Sequence, residues 1–311
     1  MKAVFLDLKS FINNISLAAI EAQVTDLTCY DVTPPELVVE RSINAEVIIT
    51  NKVVLNRDVM SKLPHLKLIC VAATGTNNID IPAANALGIK VMNVSGYSTN
   101  SVSQYVFAQL LEFYSSTNES IQRVRQGQWQ QSPLFCVHSS KFDELAGKTI
   151  GIVGYGDIGK NIANIAQAFG MNVIIAERAN ETKIRAGRVS FNEVLKTADI
   201  VSLHCPHTPE TEHLFSHEQF ANMQPHAIII NTARGAIIDN SALLSALNNK
   251  TIAGAILDVL EQEPPPADHI LLKPQPENLF ITAHIAWASS QAQQKLLNLI
   301  GENIKQFKTS K

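Results

Sequence analysis

Three side chains suited to anion binding and proton transfer, those of Arg234, Glu263 and His284, each follow an apolar segment in the last third of the chain. A guanidinium can hold a carboxylate through two parallel hydrogen bonds and polarise a neighbouring carbonyl. Histidine is the usual general acid and base near neutral pH, and a carboxylate beside it keeps it protonated until a substrate takes the proton. Singly, each residue also has an ordinary explanation, as a surface arginine, a solvated loop acid or a structural histidine.

Residues 148–178 predict a dinucleotide site, because a strand, a glycine turn, a helix, a second strand and an acid follow one another. In the GxGxxG pattern, Gly154 permits a tight turn, Gly156 lets a pyrophosphate approach the backbone, and Gly159 lets the helix pack against its strand. The unpaired amides at the start of the helix, which we predict over residues 157–169, favour a bound anion.

The acid of this motif is Glu177, which follows the second strand. Its carboxylate can accept hydrogen bonds from the adenosine ribose and repel a 2′-phosphate, which favours NAD over NADP. The next residue, Arg178, can accommodate that phosphate, so NADP is the alternative cofactor. A nicotinamide cofactor carries the hydride itself. Arg234 as anion anchor, His284 as proton donor and Glu263 as the group tuning that donor then suit the reduction of a 2-oxo acid.

Short apolar strands alternate with helical patterns along the chain, which is typical of parallel α/β sheets. We predict helices at residues 101–115 and 287–307, and strands at residues 3–6, 46–50, 66–71, 90–92, 149–153, 172–176, 200–203, 227–231, 251–257 and 279–282. The predicted fold is α/β, a Rossmann-type doubly wound parallel sheet inserted in a second, flavodoxin-like α/β domain. Residues 101–286 would form the dinucleotide-binding domain and residues 1–100 plus 287–311 the substrate domain, with a ligand cleft between them.

Length and composition predict a soluble globular protein, since 311 residues with 46% hydrophobic and 17% charged content can bury two cores. The net charge of −3 and the pI near 6.3 give no basic footprint for nucleic acid or an anionic membrane. Residues 1–8 resemble a first strand rather than a signal peptide, and no apolar run is long enough for a membrane helix, so we expect the cytoplasm. Separated cysteines and histidine pairs without a third ligand predict no metal.

Seven segments, spread over nearly the whole chain, carry a family resemblance. They are AATGTNNID at 72–80, GYSTNSVSQ at 96–104, GIVGYGDIG at 151–159, VSLHCPHTPET at 201–211, NTARGAIID at 231–239, LDVLEQEPPP at 257–266 and AHIAWAS at 283–289. On these segments the chain resembles the D-isomer-specific 2-hydroxyacid dehydrogenases. It is most similar to their glycerate dehydrogenase branch, also called the hydroxypyruvate reductases.

The resemblance implies a role for each matching residue. It implies Arg234 as substrate anchor, Glu263 as the partner that keeps the histidine protonated, and His284 as proton donor and acceptor. Backbone amides around Gly75 resemble a carboxylate clamp, a turn that can cradle an anion. The implied cofactor contacts are Thr74, Gly154, Gly156, Asp157, Ile158, Gly159, Glu177, His204, Cys205, Pro206, Thr211, Thr232, Ala233, Arg234 and Asp258. The implied substrate contacts are Asn51, Thr74, Gly75, Thr76, Arg234 and His284.

The resemblance also implies a reaction and an assembly. NADH would reduce hydroxypyruvate or glyoxylate to D-glycerate or glycolate, reversibly, in a homodimer. Trp129 would insert toward the partner subunit, with a locally packed surface tryptophan as the alternative. Among enzymes, a broader 2-ketoacid reductase or another D-2-hydroxyacid dehydrogenase is the alternative. Because relatives of this fold also serve as NAD(H)-binding corepressors, a nucleotide-sensing binding protein is the alternative outside the enzymes.

Overall fold

The computed structural model describes residues 1–12, 14–139 and 141–310. The chain forms two compact units, one built from Met1–Ser98 and Trp287–Lys311 and the other from Thr99–Ala286. In the described residues the strands are β1 (Lys2–Phe5), β2 (Asp26–Cys29), β3 (Val47–Thr50), β4 (Leu68–Val71), β5 (Lys90–Met92), β6 (Thr149–Val153), β7 (Asn172–Ile175), β8 (Ile200–Leu203), β9 (Ile228–Asn231), β10 (Gly254–Leu257) and β11 (Leu279–Ile281). The α-helices there are α1 (Ala18–Glu21), α2 (Val38–Ser42), α3 (Arg57–Ser61), α4 (Ile81–Ala86), α5 (Thr99–Ser115), α6 (Thr117–Arg125), α7 (Asp157–Ala168), α8 (Phe191–Thr197), α9 (His217–Ala221), α10 (Asn240–Asn248) and α11 (Ser290–Thr309).

The first unit has a parallel sheet in the order β2-β1-β3-β4-β5, which is the flavodoxin-like order. All residues of β3 and β4 are buried, as expected for parallel strands covered on both faces. On one face the core includes Phe5 and Ile49 together with Leu296, Leu297 and Ile300 of α11. The last helix of the chain therefore completes the core of the unit in which the chain begins.

The second unit has a parallel sheet in the order β11-β10-β9-β8-β6-β7. Strands β8, β9 and β10 are fully buried. The chain leaves β6 for β7 on one side and later returns to place β8 on the other side of β6. This reversal makes a switch point at the carboxyl end of β6, where open α/β sheets bind their ligands. The α/β class with two parallel sheets is confirmed.

Each of the ten strands predicted from sequence overlaps a strand of the structure. Residues 26–29 form β2, a strand that was not among those predicted from the sequence. β2 pairs only with β1 and leaves most of its residues exposed, so its sequence lacks a buried strand's apolar run. The predicted last helix begins at Ser290, because the Ser289 side chain accepts a hydrogen bond from the Ala292 amide at 3.2 Å.

Within residues 1–12, 14–139 and 141–310, every helix is too short or too polar to cross a membrane.

Candidate active site

Each of the six strands of the second unit is followed, at its carboxyl end, by at least one candidate residue. Gly154 follows β6, Glu177 follows β7 and His204 follows β8. The segment Thr232 to Arg234 follows β9, Asp258 follows β10 and His284 follows β11. Since parallel strands end at the same edge of a sheet, the topology brings these positions to one edge.

His284 and Glu263 are in direct contact. The Nδ1 atom of His284 lies 2.6 Å from Oε2 of Glu263, and both side chains are about one-third exposed or less. The other carboxylate oxygen, Oε1 of Glu263, accepts a hydrogen bond from the Leu260 amide at 3.0 Å. The carboxylate is thus anchored to its own loop while it orients the imidazole, which is the arrangement of a positioned general acid and base.

Asp258 holds the loop that carries His284. Its buried carboxylate accepts hydrogen bonds from the Ile285 and Ala286 amides, both at 2.8 Å, and from the Thr282 hydroxyl at 2.7 Å. The Asp258 carbonyl accepts the His284 amide at 2.8 Å. His284 has a φ of 55°, a strained region for a residue other than glycine, and these bonds fix the backbone there.

Tyr105, on α5, joins the hydrogen-bond network around Asp258 through Thr282. Its hydroxyl is hydrogen-bonded to the Thr282 hydroxyl, and burial raises the pKa of Tyr105 to about 12. The tyrosine therefore stays protonated and neutral at physiological pH. Sequence reasoning missed this contact, because residues 177 positions apart give no local signal of it.

The Arg234 loop packs against the loop that carries Glu263. A Cβ atom on Gly235 would overlap the backbone of Leu260 and Glu261, so the two loops approach closely only because residue 235 is glycine. Within its own loop, Nη1 of Arg234 donates to the Ala233 carbonyl at 2.6 Å. The Asn231 side chain bonds both the Arg234 carbonyl and the Ala233 amide, at 2.8 and 3.0 Å. Arg234 is thereby held on a braced turn.

The glycine turn after β6 is sterically tight at two of its glycines and open at the third. Gly154 has a φ of 97°, and a Cβ atom there would overlap the His204 and Cys205 backbone. A Cβ atom on Gly159 would overlap the Gly154 carbonyl, whereas one on Gly156 would meet nothing within 4 Å. Gly156 therefore borders open space in front of the first turn of α7, which begins at Asp157 and Ile158 and offers unpaired amides.

A cavity of about 600 Å³ lies beside this turn. Its lining includes Gly154, Arg178, Cys205, Pro206 and Thr211, so three of the four cofactor contacts implied within residues 204–211 line it. Desolvation lowers the pKa of His204 to about 3, and burial raises the pKa of Cys205 to about 11. Both side chains are thus uncharged at neutral pH, and the Nε2 atom of His204 pairs with the Ser202 hydroxyl at 2.8 Å.

The residues at this edge fit a nicotinamide dinucleotide. The Thr232 hydroxyl, at the end of β9, is buried without a hydrogen-bond partner among the described residues. A buried polar atom without a partner is uncommon in a protein, and a bound polar group would satisfy it. Together with the open space at Gly156, this hydroxyl supports a ligand that runs along the carboxyl edge of the sheet.

Glu177 is deeply buried and already engaged. Arg185 donates to both carboxylate oxygens, through Nε at 2.7 Å and through Nη2, and the Arg178 amide donates at 2.9 Å. The Arg185 hydrogen bonds hold the pKa of the Glu177 carboxyl well below its usual range. Sequence reasoning identified Glu177 but not Arg185, because the pairing depends on the path of the loop between them.

The candidate residues of the first unit follow β3 and β4. Asn51 is buried, and its amide donates to the Asp7 carboxylate at 2.9 Å. Thr74 is braced by Asn93, whose side chain donates to the Thr74 carbonyl at 2.6 Å. Gly75 and Thr76 follow in the same turn, and the Thr76 carbonyl accepts the Ile79 amide at 2.9 Å. Sequence reasoning missed Asp7, although an acid directly after a first buried strand is a recognisable signal.

Residues 107–286 match the family model described as D-isomer specific 2-hydroxyacid dehydrogenase, NAD binding domain. The chain is 41% identical over 277 residues to a glycerate dehydrogenase of Methylorubrum extorquens, covering 89% of this chain and 87% of that protein. It is 36% identical over 278 residues to a hydroxypyruvate reductase of Blautia hydrogenotrophica, covering 88% and 86%. A solved acyclic imino acid reductase in complex with NADPH and D-Arg superimposes with a TM-score of 0.84 at 28% identity, covering 100% and 98%.

Proposed function

Because this chain belongs to the D-isomer specific 2-hydroxyacid dehydrogenase family, we propose that it reduces hydroxypyruvate or glyoxylate to D-glycerate or glycolate, and catalyses the reverse reaction. Relatives named glycerate dehydrogenase, hydroxypyruvate reductase and glyoxylate reductase support this choice of substrates. A broader 2-ketoacid reductase and another D-2-hydroxyacid dehydrogenase are the alternatives within the family.

The single observation that carries the proposal is the contact between His284 and Glu263 at 2.6 Å. With Nδ1 bound to the carboxylate, Nε2 is the ring atom left to give a proton to a carbonyl oxygen. Glu263 stabilises the protonated imidazole before transfer, and Asp258 keeps the loop in place. Negative charge develops on that oxygen during reduction. A cation beside the oxygen therefore stabilises the transition state more than the ground state.

Arg234 has the second role in the proposal. Its guanidinium would hold the substrate carboxylate and polarise the adjacent carbonyl, and its braced turn keeps it in place at low entropic cost. In the first unit, Asn51 and the turn formed by Thr74, Gly75 and Thr76 are the substrate contacts that the family resemblance implies.

The proposed reductant is NADH. Gly154, Gly156, Gly159 and the first amides of α7 would hold its pyrophosphate, and Thr232 would bind its nicotinamide half. When bound, the reduced nicotinamide supplies the hydride.

The test is the rate of NADH oxidation with each of four acids: hydroxypyruvate, glyoxylate, pyruvate and phosphohydroxypyruvate. We expect the highest kcat/KM with hydroxypyruvate or glyoxylate. Preference for pyruvate or for the phosphorylated acid would favour the alternatives within the family. Tight NADH binding with negligible turnover on all four would favour a nucleotide-sensing protein instead.

We also propose a homodimer, on the strength of an exposed apolar segment after α6. Phe135 is 91% exposed, and Leu134, Phe142 and Trp129 are exposed as well. The Trp129 indole donates to the Phe135 carbonyl at 2.9 Å, so the tryptophan also braces this segment. Large apolar side chains grouped in one exposed segment favour a protein partner.

A further inference from the structure

In the loop after β7, the buried Glu177 carboxylate is covered by the guanidinium of Arg185. Arg185 reaches Oε2 through Nε at 2.7 Å and Oε1 through Nη2, and the backbone amides of Arg178 and Arg185 add bonds at 2.9 and 3.2 Å. The Glu177 side chain is 1% exposed, whereas that of Arg185 is 52% exposed. The carboxylate is therefore covered from the solvent side by a cation that itself faces solvent.

The surroundings of this pair are cationic. Residues 177–188 read ERANETKIRAGR, with four cationic and two acidic side chains. Arg178 and Arg185 line both the cavity of about 600 Å³ and an adjoining one of about 320 Å³ that Lys183 also borders. Nη1 of Arg188 lies 3.9 Å from the Glu177 carboxylate. Glu181 lines both cavities and Glu210 the larger one, so they are the opposing charges.

An acid at the end of the second strand disfavours NADP only while its charge is free to act on the 2′-phosphate. Here the negative charge of Glu177 is compensated within the protein, because its carboxylate accepts hydrogen bonds from Arg185 and from backbone amides. A guanidinium has five N–H donors, of which the Glu177 contact uses two. The remaining donors are available to a phosphate on the exposed side.

We propose that Arg185 determines the cofactor range of this enzyme, by masking Glu177 and binding the 2′-phosphate, so that NADPH is accepted as well as NADH. The inference rests on the proposed function, in that the site binds a nicotinamide dinucleotide. Arg178 acts as a second cation for the same phosphate. The negative charges of Glu181 and Glu210 limit how much these cations increase the affinity for NADPH. Wild-type protein is expected to bind NADPH within about tenfold of NADH, a difference of one decade in Kd.

The test is the dissociation constant of each dinucleotide, measured by fluorescence titration without any 2-oxo acid. Arg185→Gln should raise the Kd of NADPH about tenfold to a hundredfold, the range for one charge-assisted hydrogen bond. The Kd of NADH should change by less than about threefold, since it carries no 2′-phosphate. Arg57→Gln, which removes one exposed cation from the first unit, is the matched control and should leave both constants unchanged.

A second variant separates masking from a simple loss of folding. Arg185→Gln leaves a buried carboxylate without its cation, which can destabilise the protein. In Glu177→Gln/Arg185→Gln both charges are gone, so the ratio of the two constants should return toward the wild-type ratio. If the double variant kept the ratio of the single variant, masking would be refuted. The proposal would equally fail if Arg185→Gln weakened both dinucleotides alike, or if wild-type protein bound NADPH more than about a hundredfold less tightly than NADH.

The binding test does not depend on the reaction. If the two constants behave as described while hydroxypyruvate and glyoxylate are not reduced, the proposed function fails and the role of Arg185 stands. If wild-type protein binds neither dinucleotide, both proposals are overturned.

Discussion

At the scale of single residues, the proposed proton transfer depends on where one ring nitrogen of His284 is held. The Glu263 carboxylate binds Nδ1 of His284. The Asp258 carboxylate accepts the Thr282 hydroxyl before the histidine at 2.7 Å, and the Ile285 and Ala286 amides after it at 2.8 Å. The positive φ of His284 is maintained by the same bonds. The imidazole is thus positioned by interactions that no single residue supplies.

We predict that His284→Asn lowers kcat by about a hundredfold to ten-thousandfold, the usual contribution of a general acid and base. Asparagine is chosen because it tolerates the positive φ better than alanine does. The Kd of NADH should stay within about threefold of wild type, because the proposed role of the imidazole is to transfer a proton to the 2-oxo acid.

His226→Asn is the matched control for that variant. His226 also pairs with a carboxylate, at 2.8 Å from Asp199, but its side chain is 63% exposed and follows no strand end. The control should keep wild-type turnover. Near wild-type turnover in His284→Asn would remove the histidine from the proposed mechanism.

The sequence was enough to predict which residues belong to the site. It was enough to predict only some of the contacts between them. Arg234, Glu263 and His284 stand out because each follows an apolar run, and a pairing of the acid with the histidine was expected from the family. The bond between Glu177 and Arg185 was not foreseen, because it depends on how an eight-residue separation is bridged by a loop without regular pattern. The contacts of Tyr105 and Asp7 were not foreseen either, because their partners lie far away in the sequence.

At the scale of elements, the turn between β6 and α7 combines a steric requirement with an opening. Gly154 is fixed by its φ of 97° and by the nearby backbone of the segment after β8, whereas Gly156 borders open space. We therefore expect a methyl group at Gly154 to disturb the fold and one at Gly156 to disturb the proposed ligand instead. Substituting the two glycines one at a time should distinguish an effect on folding stability from an effect on NADH binding.

We predict that Gly154→Ala destabilises the fold by about 1 to 3 kcal/mol through steric overlap and backbone strain. Gly156→Ala should unfold at the wild-type temperature but bind NADH about tenfold or more weakly, because a methyl group would stand where the pyrophosphate approaches. Thermal unfolding and NADH titration of both variants provide the comparison. Unchanged NADH affinity in Gly156→Ala would show that the pyrophosphate lies elsewhere.

The segment after β8 predicts a pH effect on stability. Desolvation lowers the pKa of His204 from its ordinary 6.5 to about 3. Below pH 6.5 the unfolded chain binds a proton at this residue that the folded chain does not bind until about pH 3. The contribution of His204 to stability is therefore lost as the pH falls through this window, by at most about 1.4 kcal/mol per pH unit.

His204→Gln should flatten this part of the stability curve, because glutamine does not titrate and can still bond the Ser202 hydroxyl. Urea unfolding at several pH values within the window measures the slope. An identical slope in wild type and variant would show that the pKa of His204 does not differ between the folded and unfolded states.

Strands were easier to predict than their boundaries or partners. Buried strands such as β8 and β9 are continuous apolar runs, and the structure has them within one residue of the predicted limits. The edge strand β2 was missed, since only its hydrogen bonds to β1 make it a strand. The order of the strands was not predicted, because no local pattern in the sequence specifies which strands pair.

At the scale of the whole molecule, the exposed apolar segment after α6 predicts self-association. Sedimentation of the wild-type protein should give about twice the chain mass of 34.0 kDa. Replacing Phe135 and Phe142 by serine should shift it toward the monomer without lowering the unfolding temperature, because both side chains face solvent in the single chain. Val32→Ser, at an exposed apolar position of the first unit, should leave the mass unchanged. A monomeric wild-type protein would contradict the proposed dimer.

The central claim is a reaction, and its most direct test is the product. Hydroxypyruvate is incubated with NADH and the wild-type protein, and the configuration of the glycerate formed is determined alongside the amount of NADH oxidised. We expect D-glycerate in equal amount to the oxidised NADH, with loss of this conversion in His284→Asn. Formation of L-glycerate, or NADH that is bound but not oxidised, would contradict it.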